Sequence, residues 1–135
     1  MEILSILFWV LAAIANALMD VIQFHWYKFR WKEEVNAQFW NPTISWENKY
    51  IDRYMDRRLK YKCWLSWMSN FTDAWHILKM TMIISFALSI IIFPYSFNIC
   101  IFDSAFLNGC IWLIIYGIAW NGPFNFCFNK LFINN

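Results

Sequence analysis

Apolar and polar positions do not alternate along this chain; the apolar ones come in long runs. From Ile3 to Phe24 ("ILSILFWVLAAIANALMDVIQF") only Ser5, Asn16, Asp20 and Gln23 interrupt the run. That is the length a helix needs to cross about 30 Å of hydrocarbon, roughly 20 residues. The stretch "AIANA" has an A-x-A pattern, but Glu2 stands where a secretory leader carries positive charge, so the run reads as a retained span. A second run, residues 74–95, holds one lysine near its start and reaches a helix-stop signal at Pro94. The third, residues 104–120, is slightly short, and Asn121-Gly122-Pro123 after it predicts a break. A dip of the following "FNFCF" into the interface makes up the missing length. The pattern predicts an all-α membrane protein with three transmembrane helices in one integral membrane domain, residues 1–135.

Between the first two spans, residues 25–73 carry no periodic core of their own. Seven of the ten tryptophans fall in or just after this stretch: Trp26, Trp31, Trp40, Trp46, Trp64, Trp67 and Trp75. Nine of the eleven Lys and Arg lie between Lys28 and Lys62. Indoles interleaved with cations predict a segment lying on the membrane, rings at headgroup depth and charges toward anionic lipid. Residues 48–68 read as a helix with Ile51, Tyr54, Met55 and Leu59 on its apolar stripe and Asp56 and Lys60 paired one turn apart. Pro42 ends whatever precedes it. The clustered cations also predict orientation, with the basic segment and the C-terminus cytoplasmic and the N-terminus outside.

Composition narrows the class further. Hydrophobic residues make up 61% of the chain and charged ones 15%, against about 25% charged in a soluble domain. A net charge of +2 and the lack of any nucleic-acid reading module exclude nucleic acid as the partner. The four cysteines form no CxxC pair, which excludes a zinc ribbon. Membrane lipids, other membrane subunits and self-association remain as partners.

Candidate chemistry sits at the ends of the spans. Asn16, Asp20 and Gln23 share one side of the first helix, and an ionisable residue inside a span is a functional candidate. The alternative places Asp20 near the interface, bonded to a neighbouring helix. Asp20 and His25 close the first span while Asp73 and His76 open the second. Antiparallel spans therefore bring two Asp and two His to one membrane level. Carboxylate and imidazole are ligands for zinc or a similar divalent metal, and an Asp-oriented His is a general base. Such a site would activate water against a lipid headgroup ester. The competing reading makes Thr72 or Asp73 a helix N-cap and the two histidines interfacial residues. A headgroup pocket is a further candidate: Trp40, Asn41, Trp46, Asn48 and Lys49 flank the Pro42 turn, against the plainer reading of a rigid turn pinned by two indoles.

The combination "NALMDVIQFHW", "FWNPTISWENKY" and "FTDAWHILKM" resembles an uncharacterised family of small multi-pass membrane proteins from bacteria, notably Bacteroidetes, and their phages. The resemblance covers roughly residues 14–80. It departs from the pattern between Tyr50 and Phe71, where a Gly/Ser-containing stretch is expected. It implies no activity, only that the polar positions belong to a shared pattern. Three functions stay open: a non-enzymatic subunit or assembly component of a membrane complex, a membrane-embedded metal or acid/base site acting on lipid headgroups, and a phage-type lysis or pore-forming protein. A pore would place Asn16, Asp20 and Gln23 on a water-lined axis.

Overall fold

The structure is a computed structural model describing residues 2–52, 58–61, 68–69, 71–96 and 103–133. Its helices, in chain order, are α1 (Glu2–Phe24), α2 (Ala37–Trp40), α3 (Pro42–Ser45), α4 (Ala74–Ser96) and α5 (Ala105–Phe126). Residues Ile3–Phe24, Ala74–Phe93 and Ala105–Phe132 are each long and apolar enough to cross a membrane. The chain is thus an all-α protein with three candidate spans and has the make-up of a small integral membrane protein.

The third span corrects one expectation. Asn121-Gly122-Pro123 does not end the helix: α5 runs through Pro123 and passes into a π-helical turn, Cys127–Phe132. Proline removes one i→i−4 bond. In hydrocarbon no water competes for the freed backbone groups, so unravelling the helix would expose more of them than the proline does. The amides of Asn121, Asn125 and Asn129 add bonds along the same stretch, donating to the carbonyls of Gly117, Asn121 and Asn125 at 2.9, 2.8 and 3.0 Å.

Helix α1 is the centre of the bundle. Ala12, Ala13, Ala15 and Ala17 are all buried, and these small side chains let neighbouring helices approach closely. Near one end Ser5 meets Ser89 of α4 and Tyr116 of α5, and Trp9 packs at a tilt on Phe86 and edge-on to Trp120. Near the other, Ala17, Val21 and Ile22 pack with Ala74, Cys127 and Phe132. These pairings make α4 antiparallel to α1 and α5 parallel to it.

The Ser5 contact is a closed polar unit inside an apolar bundle. Ser5 Oγ donates to the Ser89 carbonyl and Ser89 Oγ donates back to the Ser5 carbonyl, each at 2.9 Å. Both serine protons are thereby used, so the Tyr116 hydroxyl is the donor in its 2.6 Å bond to Ser5 Oγ. This unit fixes the depth at which all three helices register.

Below the bundle the tryptophan-rich segment folds inward. Phe29, buried to 2% exposure, is ringed by Trp26, Trp31 and Trp40 at 5.6, 5.8 and 6.3 Å between centroids. Three of the indoles expected at headgroup depth thus pack, partly buried, against a core residue at the base of the bundle. The π-helical turn is tied to the connection after α1 in the same place: Arg30 N–H donates to the Phe132 carbonyl and Arg30 Nη2 to that of Lys130, at 2.8 and 2.7 Å. Together they satisfy carbonyls that a helix terminus leaves open.

The helix expected over residues 48–68 is not formed where the chain is described. A 3₁₀ turn covers Trp46–Lys49, and Tyr50 then pairs with Leu59 in an antiparallel bridge. Ile51 N–H bonds the Arg58 carbonyl and Lys60 N–H that of Lys49, both at 2.9 Å. Ile51 and Leu59 thus lie on opposite arms of a returning chain, because backbone pairing across the return has replaced intrahelical bonds. Tyr54, Met55 and Asp56 lie outside the described residues, as do Trp64 and Trp67.

Candidate functional site

Asp73 and His76 form a direct pair at the start of α4. The Asp73 carboxylate accepts the His76 backbone N–H at 2.9 Å and contacts His76 Nδ1 at 2.9 and 2.7 Å through its two oxygens. This is N-cap geometry, since α4 begins at Ala74 and His76 is its third residue. The carboxyl is buried, whereas the imidazole is 37% exposed. An ionised carboxylate requires Nδ1 to hold the proton, which leaves Nε2 of the neutral ring as an acceptor. The Trp75 ring stands edge-on to the imidazole at 5.1 Å. Among the described residues no side chain bonds Nε2 to complete a relay.

Asp20 and His25 lie near one another in sequence at the end of α1, with no hydrogen bond or ion pair between them among the described residues. His25 has left the helix and caps the 3₁₀ turn Trp26–Lys28. Its ring lies edge-on to Phe128 at 5.4 Å. All four residues sit at the same end of the bundle, as the antiparallel spans predict. They do not converge: among the described residues no group of three or more His, Cys, Asp and Glu is placed to hold a metal ion. The reason is local. Asp73 turns back onto its own helix start, and His25 turns toward α5.

The polar face of α1 looks inward. Asn16 and Asp20 lie seven and eleven residues beyond Trp9, close to two and three helical turns, so they share its side. That side faces α4 and α5, because Trp9 contacts Phe86 and Trp120. Asn16 and Asp20 are half-buried in that seam and Gln23 is exposed at its end.

The five headgroup candidates serve the turn itself. Asn41 Oδ1 accepts from Thr43 N–H and Oγ1, at 3.1 and 2.8 Å, and caps α3. Asn48 Nδ2 donates to the carbonyls of Gln38 and Thr72 at 2.8 and 2.9 Å, tying the turn to the approach to α4. Trp46 Nε1 donates to the Thr43 carbonyl, Trp40 packs on Phe29, and Lys49 sits 5.2 Å over the Tyr50 ring.

Two features were missed in the sequence. One is a crevice of about 880 Å³ between α4 and α5, floored by Trp9 and walled by Phe86, Phe93, Trp112 and Trp120. Nothing lies within 4 Å of a Cβ built on Gly109 or Gly117, both of which line it. The other is the exposed row Asn121, Asn125 and Asn129 on α5 and its π turn. Its i, i+4, i+8 spacing was the available signal, hidden by taking Asn121-Gly122-Pro123 as a break. No family model, curated protein or solved structure matches the chain.

The cap geometry predicts a selective response. Asp73→Ala is expected to lower stability by about 0.5–2 kcal/mol, while Asp73→Asn, which keeps an acceptor for the His76 N–H, loses clearly less. Denaturant titration in detergent, followed by tryptophan fluorescence, measures both; equal losses would mean that the contact to the imidazole, not the cap, is what matters.

Proposed function

We propose that this chain is a non-enzymatic component of a membrane assembly, and that the crevice between α4 and α5 receives a transmembrane helix of another subunit. The observation that carries the reading is the crevice itself. Its two walls lean separately on α1 and meet each other chiefly through rings, Phe86 on Trp120 at 6.0 Å and Phe93 on Tyr116 at 5.4 Å. Small residues on one wall, Gly109 and Gly117, leave the α5 backbone open to close approach, which is how helices associate where lipid supplies no hydrophobic drive. Asn16 and Asp20 share the side of α1 that carries Trp9, which floors the crevice, so the polar side of α1 is turned toward α4 and α5. Orientation follows the cations, with the basic segment and C-terminus cytoplasmic and the N-terminus outside.

Filling the crevice tests this. Gly109→Phe meets open space within the chain, so expression, insertion and unfolding are expected to stay as in the wild type. The particle mass in mild detergent or nanodiscs is expected to fall from that of an assembly to that of the single chain. A wild-type protein already of single-chain mass would sink the proposal, and lipid retained in the crevice would identify an acyl chain as its occupant.

A further inference from the structure

We propose that the asparagine row of α5 joins two copies of this chain side by side, α5 against α5 in parallel. The inference deepens the reading above and rests on it, naming the partner as a second copy.

The first observation is depth. Trp120, next to Asn121, touches Trp9 well inside α1, and Phe128, next to Asn129, touches His25 just past the end of α1. The row therefore runs from the depth of Trp9 to the inner end of α1, with Asn125 midway, alongside the part of the bundle that crosses the hydrocarbon. All three asparagines are exposed there. A polar amide facing lipid is costly, and membrane helices recover that cost by bonding across to another helix.

The second observation is what each amide has left to offer. One N–H of each Nδ2 is used on the carbonyl four residues back, at 2.8–3.0 Å. Each side chain keeps one N–H and its carbonyl oxygen, and among the described residues neither is bonded. One donor beside one acceptor is the set that pairs reciprocally with a copy of itself. An acyl chain offers no partner for it.

The third is symmetry. Two copies of one chain insert in the same sense, so their α5 helices meet in parallel, about a two-fold axis normal to the membrane. A parallel two-fold contact sets identical residues opposite one another, as a buried asparagine does in a parallel helical dimer. Gly117 continues the row one turn above Asn121. No atom lies within 4 Å of a Cβ built there, so the two backbones have room to approach at that level.

The test uses full-length chains carrying two different tags, co-expressed, solubilised in mild detergent and purified through one tag, with the particle mass measured in parallel. Two variants are compared with the wild type. Asn121→Leu/Asn125→Leu/Asn129→Leu removes the amides while keeping good helix formers, and Gly117→Leu fills space that the single chain leaves open. Wild-type copies are expected to co-purify, and each variant to lose that by about tenfold or more while keeping the wild-type helix content by circular dichroism. Copies that never co-purify, although each is found in a large particle, would overturn the pairing and leave the assembly reading with a different partner. Wild-type pairing that survives both variants would also overturn it, moving self-association to another face. Wild-type particles of single-chain mass would end both proposals.

Discussion

Phe29→Ala is expected to be the most destabilising single truncation in this chain, at about 3–5 kcal/mol, the range for emptying a buried aromatic site. Phe29 is not on any of the three spans. It sits in the connection after α1, yet its ring is where Trp26, Trp31 and Trp40 converge. Its backbone also pairs with Ile133, at the far end of the chain. The cavity cannot close easily because large rigid rings frame it, and rings of that size do not collapse into the gap as flexible side chains do. Denaturant titration in detergent, read through tryptophan emission, measures the loss. A change below about 1 kcal/mol would show that the basal cluster is a loose aromatic surface, since even a mild core truncation such as Ile to Val costs about that much.

Ser5→Ala is expected to cost about 1–3 kcal/mol, the desolvation penalty of leaving buried hydroxyl partners without a bond. The loss is large for one oxygen atom because Ser5 bonds both Ser89 and Tyr116. A second substitution separates this from a packing effect. Tyr116→Phe placed on top of Ser5→Ala removes the hydroxyl that the first change stranded, so the double variant should be no less stable than the sum of singles predicts, and measurably more so. Strict additivity would mean the two hydroxyls do not act as a unit. Thr81→Ala is the control: its hydroxyl bonds the Ile77 carbonyl of its own helix at 2.9 Å, joins no other element, and should matter little.

Much of the candidate chemistry could be read from the chain, but its arrangement could not. The Asp73 cap was visible because a carboxylate before a helical run answers to local backbone geometry alone. The four-residue convergence was not decidable from sequence, since each side chain chooses between a partner across the bundle and one within its own turn. Asp73 took the nearer one, whose geometry is already set by the helix start. The row of asparagines was concealed by a correct general rule applied in the wrong solvent: Asn-Gly-Pro ends helices in water, where freed carbonyls find new partners, and fails to do so where they would find none.

By itself, the sequence determined that there are three candidate spans and where the first two lie, though not where the third ends. Length and apolarity decide transfer into a bilayer one segment at a time, without reference to any neighbour. It also determined that Pro42 ends the element before it, for the same local reason. Only the tertiary structure decided that α1 is the central helix, that Asn16 and Asp20 face α4 and α5, and that Trp26, Trp31 and Trp40 enclose Phe29 instead of lying outward. An indole satisfies its apolar face equally in a membrane interface or against another ring. Which of the two it meets depends on where residues a hundred positions away, such as Phe132, bring the chain back.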